Sequence, residues 1–239
     1  MTNDAPHRKR IGFLSFGHWS NAPGSKTQSA GDALLQAVEL AVAAEEIGID
    51  GAFFRVHHYQ RQHASPFPLL AAIGARTSRI EIGTGVIDMR YENPLYMAED
   101  AGAADLLSGG RLQLGISRGS PEPALHGYQA FGYVPAEGET DADMARRHTE
   151  LFRAAIAGAA VVGTDPKMGG TGGRLAIQPR SEGLPERIWW GAGTRETGVW
   201  TARQGMNLMS ATLLTEDTGV PFDQLQAEQI RMYLEAWEE

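Results

Sequence analysis

Apolar positions along this chain alternate between short continuous runs and stripes of helical period, with polar turns between them. Ile11 to Phe16 reads as a first strand. Asp32 to Ile47 reads as a helix with Leu34, Leu35, Val38, Ala41 and Val42 on one face and Gly48 where a left-handed C-cap would stand. A second strand runs from Gly51 to Val56, a short helix from Pro66 to Arg76, and a third, β-branched strand from Ile80 to Ile87. Asn93 and Pro94 supply an N-cap and a first-turn proline for a helix that Ser108-Gly109-Gly110 closes. Leu112 to Ser117 is a fourth strand and Ala142 to Ala157 a helix. The pattern then breaks between Val161 and Pro185. Met168 to Gly173 is glycine-rich, Arg174 to Gln178 is briefly extended, and residues 165–186 read as an insertion loop. Regularity resumes with a fifth strand at Arg187 to Ala192, a helix to about Gln204, a sixth strand at Asn207 to Ser210, and a last helix from Pro221 whose apolar face is Ile230, Tyr233, Leu234 and Trp237.

Strands that alternate with helices specify a parallel α/β sheet or barrel, and in both the ligand sits at the C-terminal ends of the strands. No repeat, linker or change of composition divides residues 1–239, so a single domain is expected. The 42% apolar content is ample for its core. The chain has no cysteine, which excludes disulfides, thiolate metal sites and a cysteine nucleophile. A net charge of −8 argues against a nucleic-acid partner, because phosphate neutralisation needs a basic face. Met1 to Arg10 is polar and basic, and no later stretch offers ~18 apolar residues, so neither a signal peptide nor a membrane span is expected and the cytoplasm is the expected location.

Chemistry is then sought just beyond each strand. His57 and His58 follow the second strand, with His63 nearby; imidazole is suited to proton transfer near neutral pH, and the same spacing suits two hydrogen-bonded loop histidines. No histidine–carboxylate set has metal-ligand spacing. The third strand carries Gly83-Thr84-Gly85, which permits a flat ligand to approach the backbone or permits a bulge. The fourth ends in Gly115-Ile116-Ser117-Arg118-Gly119-Ser120, where Arg118 suits either an anionic ligand group or a surface pairing with Glu122. The fifth leads through Gly193, Thr194 and Thr197 into a helix, which is an anion site or simply an N-cap by Thr194. Two such elements at one end of one sheet suggest a phosphorylated ligand. The glycines at 169–173 precede an extended piece and so fail as a dinucleotide fingerprint, and no phosphate-binding loop ending in Gly-Lys-Ser/Thr is present.

These segments, in order from Ala52-Phe53-Phe54-Arg55-Val56-His57-His58 through Gly83-Thr84-Gly85-Val86, Asn93-Pro94, Asp105 to Arg111 and Gly115 to Gly119 to Gly193-Thr194-Arg195-Glu196-Thr197, resemble the bacterial-luciferase-like flavin-dependent oxidoreductases. The resemblance runs from about Ile11 to Ser210. It implies a TIM-type (β/α)8 barrel binding reduced FMN, with Arg118 and Ser120 on the flavin phosphate together with Gly193, Thr194 and Thr197. It further implies Thr84-Gly85 at a non-proline cis peptide beneath the isoalloxazine ring, Ser117 near the flavin C4a position, and His57 as the catalytic histidine. Val56 departs from the family, replacing a glutamate common before the two histidines. The implied activity is monooxygenation of a small organic substrate with O2, by a homodimer supplied with reduced FMN by a separate flavin reductase. A deazaflavin (F420)-dependent hydride-transfer enzyme and a non-catalytic flavin-binding relative are the alternatives. Only the first six β/α units and an insertion are accounted for, where the barrel needs eight. The chain is therefore expected to be a fragment, or else a naturally shortened relative.

Overall fold

The computed structural model describes residues 8–119, 122–168, 172–211, 216 and 218–238. Its strands are β1 (Gly12–Ser15), β2 (Gly51–Phe54), β3 (Glu81–Asp88), β4 (Leu112–Ser117), β5 (Ala160–Gly163), β6 (Arg174–Ala176), β7 (Ile188–Ala192) and β8 (Asn207–Ser210). Its α-helices are α1 (Ala30–Glu46), α2 (Pro66–Arg76), α3 (Pro94–Leu107), α4 (Asp141–Ile156), α5 (Arg195–Arg203) and α6 (Phe222–Glu238). Several helices start where a side chain satisfies the free backbone N–H groups of the first turn. Ser29 with Asp32 and Thr140 with Asp143 form capping boxes, while Asn93 caps α3 through Leu95 and Tyr96.

Six strands form one parallel sheet in the order β1-β2-β3-β4-β7-β8. This is the expected α/β architecture with six barrel-type strands. The sheet is curled. In a flat sheet β3 would lie roughly 10 Å from β1 and roughly 14 Å from β8. Instead a Cβ placed on Gly85 of β3 would come within 3.0 Å of Leu14 in β1 and 3.8 Å of Met209 in β8. Alternate residues therefore face a barrel interior, and the others face the helices.

The outward row supplies the core. Ala52, Phe54, Ile82, Ile87, Leu112, Leu114, Ile116, Ile188 and Trp190 are buried in one cluster with Leu69, Leu70 and Ile73 of α2, Met97 and Ala101 of α3, and Phe152 and Ile156 of α4. Two helices bury a different face from the expected one. In α1 the buried stripe is Ala33, Ala37, Ala41 and Ala44, while Leu35 remains 71% exposed, because small side chains let the helix lie close to its neighbours. In α6 the buried residues are Leu225 and Gln229, and Ile230, Leu234 and Trp237 face outward. Gln229 is drawn inward by hydrogen bonds to the carbonyls of Ala192 and Thr194 and from the Ser210 hydroxyl.

The segment expected as a loop over 165–186 contains strand β6, inside the piece expected to be extended at Arg174 to Gln178. It pairs antiparallel with β5, which the apolar pattern missed because β5 is largely exposed. The segment after β6 is tied to the end of the barrel where the strands begin. Ser181 and Arg187 both reach the fully buried carboxylate of Asp105 at 2.6 Å, and Asp105 also accepts from the Leu112 N–H at the start of β4. Beside it, Arg111 donates to the carbonyls of Gly74, Thr77, Ile80 and Ser108. No described helix is long and apolar enough to cross a membrane.

Candidate functional site

The strands that carry the expected residues, β2, β3, β4 and β7, are consecutive neighbours in the sheet, so their C-terminal ends form one continuous arc. The floor of this arc is rich in glycine and covered by three apolar side chains. Gly85 of β3, Gly115 of β4 and Gly191 of β7 all face the interior, where added Cβ atoms would press on Leu14, Val86 and Met209. Strands β3 and β4 also approach each other too closely for a side chain, since a Cβ on Gly115 would stand 2.2 Å from the Thr84 carbonyl oxygen. The Thr84 hydroxyl, fully buried, donates to the Gly115 carbonyl at 2.7 Å. The cis peptide lies between Gly85 and Val86, one bond beyond the expected Thr84-Gly85, where the β3–β4 register shifts between Thr84 and Ile87.

At the β4 end, Ser117 is buried and its hydroxyl accepts from the Gly119 N–H. Arg118 is exposed and lines a cavity of about 410 Å3 with Arg90, Glu122, His126, Tyr128 and Asp141. Pairing between Arg118 and Glu122 does not form. Glu122 instead accepts from the Tyr91 hydroxyl at 2.5 Å and lies 3.5 Å from Arg90. Arg90 also holds Asp88 and Asp141, and these charge-assisted bonds raise its pKa. Among the described residues Arg118 has no ion pair or hydrogen bond of its own. Ser120 lies outside the described residues.

Ile116 of β4 is in register with Trp190 of β7, which sets Arg118 beside the turn into α5. In that turn Thr194 caps the helix: its hydroxyl accepts from the Thr197 N–H and lies 2.8 Å from the Thr197 hydroxyl. Gly193 links strand to helix, and it too has a partner. The N–H of Arg195 donates to the Glu216 carboxylate at 3.0 Å, and the Arg195 side chain bridges Glu216 and Glu228. The positive end of the α5 dipole is thus already met in part by a carboxylate of the chain itself.

At the β2 end the backbone N–H of His57 donates to the His63 carbonyl, and Arg55 Nε–H donates to His57 Nε2 at 2.8 Å. Burial and the adjacent Arg55 cation lower the His57 pKa. The ring is therefore neutral at pH 7, with Nε2 accepting and its proton on Nδ1, 3.4 Å from the Gln60 amide. His58 points elsewhere, stacking on Tyr91 at 4.2 Å and meeting Phe131 edge-on. His63 is buried beneath Gly17 and contributes to the core, not to the mouth. The His126 to Phe131 segment stands at this end of the barrel, where His126 and Tyr128 line the cavity with Arg118.

Arg55, Arg90, Glu122, Asp141 and Glu216 have prominent roles that sequence reasoning missed. For Arg55 the signal was available: it continues the alternation of Gly51 and Phe53. For the others the partners are distant in sequence. Among the described residues no group of three or more His, Asp or Glu is arranged to hold a metal ion.

Comparison with known proteins bears on this geometry. An F420-dependent glucose-6-phosphate dehydrogenase of Nocardia farcinica is 37% identical over 124 residues, 49% of this chain and 36% of its own. The crystal structure of monooxygenase RslO1 from Streptomyces bottropensis superposes with a TM-score of 0.73 at 24% identity, over 96% of this chain and 66% of that one. The oxygenating constituent of 3,6-diketocamphane monooxygenase, from a Pseudomonas putida plasmid and in complex with FMN, gives 0.69 at 19% identity over 96% and 62%. At these identities the two structures establish the fold. The matched segments cover about a third of the length of most of these curated relatives, and 56% of one from Sinorhizobium fredii. Residues 11–228 match the family described as luciferase-like monooxygenase, and the chain belongs to that family.

Proposed function

We propose that this protein is a flavin-dependent oxidoreductase that binds reduced FMN across the C-terminal ends of β2, β3, β4 and β7 and oxygenates a small organic substrate with O2. The observation that carries this reading is Arg118 beside a glycine-rich floor, an arginine with no partner of its own among the described residues. A planar ring system would lie over the Leu14, Val86 and Met209 side chains that cover Gly85, Gly115 and Gly191, with Thr84 stiffening the two strands beneath. Arg118 and Ser120 at the β4 end, with Gly193, Thr194 and Thr197 at the α5 turn, are the groups to hold the phosphate. Such a phosphate competes with Glu216 for the Arg195 N–H. Bound reduced FMN supplies the electrons that activate O2. His57 holds a proton at Nδ1 and is fixed in orientation by Arg55 at Nε2. Ser117 closes the β4 end with its hydroxyl turned to the backbone. On this reading the protein works in the cytoplasm as a homodimer, and a separate flavin reductase delivers the reduced cofactor.

A second reading, F420-dependent hydride transfer, draws support from the 37% identity to the Nocardia enzyme. Fluorescence titration with FMN, reduced FMN and F420 separates the two. The FMN reading expects saturable FMN binding and, with a flavin reductase and NADH, substrate-dependent oxygen uptake. Saturable F420 binding without FMN binding or oxygen uptake would replace it with the second reading. Flavin binding with no turnover over a broad substrate panel would leave a binding protein.

A further inference from the structure

The segments that follow β1 and β2, residues 16–28 and 55–65, contain Lys26, Arg55, Arg61, His18, His57, His58 and His63, and no aspartate or glutamate. In a chain of net charge −8 this part of the rim runs against the overall composition. Arg55 stands at its centre. Its backbone N–H still pairs with the Ser15 carbonyl of β1, so the strand alternation continues through it. Phe53 faces the interior beside Gly51 and Gly83. Two residues further on, the same row turns Arg55 inward at the mouth, where its guanidinium lies 5.3 Å from the centre of the Phe16 ring.

One donor of this guanidinium is committed, since Nε–H is bound to His57. The two terminal nitrogens have no hydrogen-bond partner and face no carboxylate among the described residues. Arg90, at the end of the next strand, is held by Asp88, Glu122 and Asp141. Arg55 is half-buried without any such neutralisation, and that burial lowers its pKa. A desolvated cation with no counter-ion is costly unless a ligand supplies the anion. The flavin phosphate is poorly placed to do so, because Arg118 lies two strands away, roughly 10 Å across the sheet. The planar fork matches a carboxylate, and the Phe16 ring beneath it suits an apolar body on the same ligand.

We propose that Arg55 determines substrate specificity: with Nε–H fixed on His57, it presents Nη1 and Nη2 to the carboxylate of a small organic acid held against Phe16 at the mouth of the barrel. Only the naming of that acid as substrate rests on the flavin-dependent reading above; the anion site itself does not.

The test is calorimetric titration of the full chain with benzoate and with benzamide, its uncharged isostere, for the wild type, R55M and R55K, with FMN titrated separately into each. The expected result is roughly tenfold tighter binding of benzoate than of benzamide to the wild type. That preference is lost in R55M and retained in R55K, while FMN affinity changes less than about threefold in either variant. Circular dichroism confirms that each variant is folded, and the R55K comparison stands if R55M is not. Equal binding of benzoate and benzamide to the wild type overturns the proposal. So does an R55M variant that weakens benzamide as much as benzoate, or one that weakens FMN as much as benzoate, which would assign the anion to the cofactor. A wild type that prefers benzoate but binds no FMN upholds the carboxylate site and removes the flavin reading. One that binds FMN without preferring benzoate does the reverse.

Discussion

Replacing Arg118 with alanine isolates the contact on which the cofactor assignment depends most. Arg118 is exposed and has no internal partner among the described residues, so the substitution leaves no buried group unsatisfied and stability changes by less than about 0.5 kcal/mol. A charge-assisted bond to a phosphate contributes about 1.5–3 kcal/mol, and solvent screening at an exposed rim favours the lower figure. At about 1.4 kcal/mol per decade, R118A weakens FMN roughly tenfold. Riboflavin has the same ring system without the phosphate and should bind the variant as it binds the wild type. Flavin fluorescence titrations of both ligands, at low and high salt, measure this directly, and the FMN difference shrinks as salt rises. Equal losses for FMN and riboflavin would refute the phosphate role of Arg118. An unchanged FMN affinity would refute it as well.

Other substitutions test the same structure from different sides. Glu92 is half-buried near Asp88 and Asp100, and desolvation, followed by those two charges, pushes its pKa from 4.5 up to about 7. The unfolded chain therefore releases this proton first as pH rises from about 4.5, and folding stability falls until pH 7, by roughly 3 kcal/mol at most. Urea denaturation should accordingly find E92Q more stable than the wild type at pH 8 and equal to it at pH 4; a difference independent of pH would contradict the assignment. G115A forces a methyl group against the Thr84 carbonyl at 2.2 Å and should destabilise the fold by about 1–3 kcal/mol. G191A meets Val86 at 3.2 Å and the Ile116 carbonyl oxygen at 3.6 Å, and should weaken flavin binding while leaving the thermal midpoint nearly unchanged; loss of both together would argue against a floor for the flavin there. D105A leaves Arg187 and the Leu112 N–H without their buried acceptor and should cost about 3–5 kcal/mol by denaturant titration, with no change in FMN affinity if the protein stays folded.

Much of the fold is legible in local pattern because its causes are local. The capping residues Ser29, Asn93, Thr140 and Thr194 act within a few residues of themselves, and the strands of the parallel sheet are short apolar runs bounded by turns. Orientation was less legible. Leu34 and Leu35 are the larger apolar residues of α1, yet the alanine stripe is buried, because close packing of a helix depends on shape as well as hydropathy. Gln229 is buried against periodicity because the carbonyls it serves, those of Ala192 and Thr194, come from another part of the chain.

The site divides along the same line. The residue types at the strand ends, the glycines, Arg118, Thr194 and the histidine pair, could be identified from the sequence, since a parallel α/β pattern already says where along the chain a ligand is met. The sequence alone likewise determined the succession of strands and helices up to the insertion and excluded thiol chemistry. Whether a given charge is free or spent was decided only by the tertiary structure. Glu122 lies near Arg118 in sequence but is bound to Tyr91 and Arg90, Glu216 reaches the start of α5 from a later segment, and Arg55 is left beside His57 with no ion pair among the described residues. Ionic pairing acts through space over a few ångströms, so which cation remains available to a ligand follows from the curl of the sheet and not from spacing along the chain.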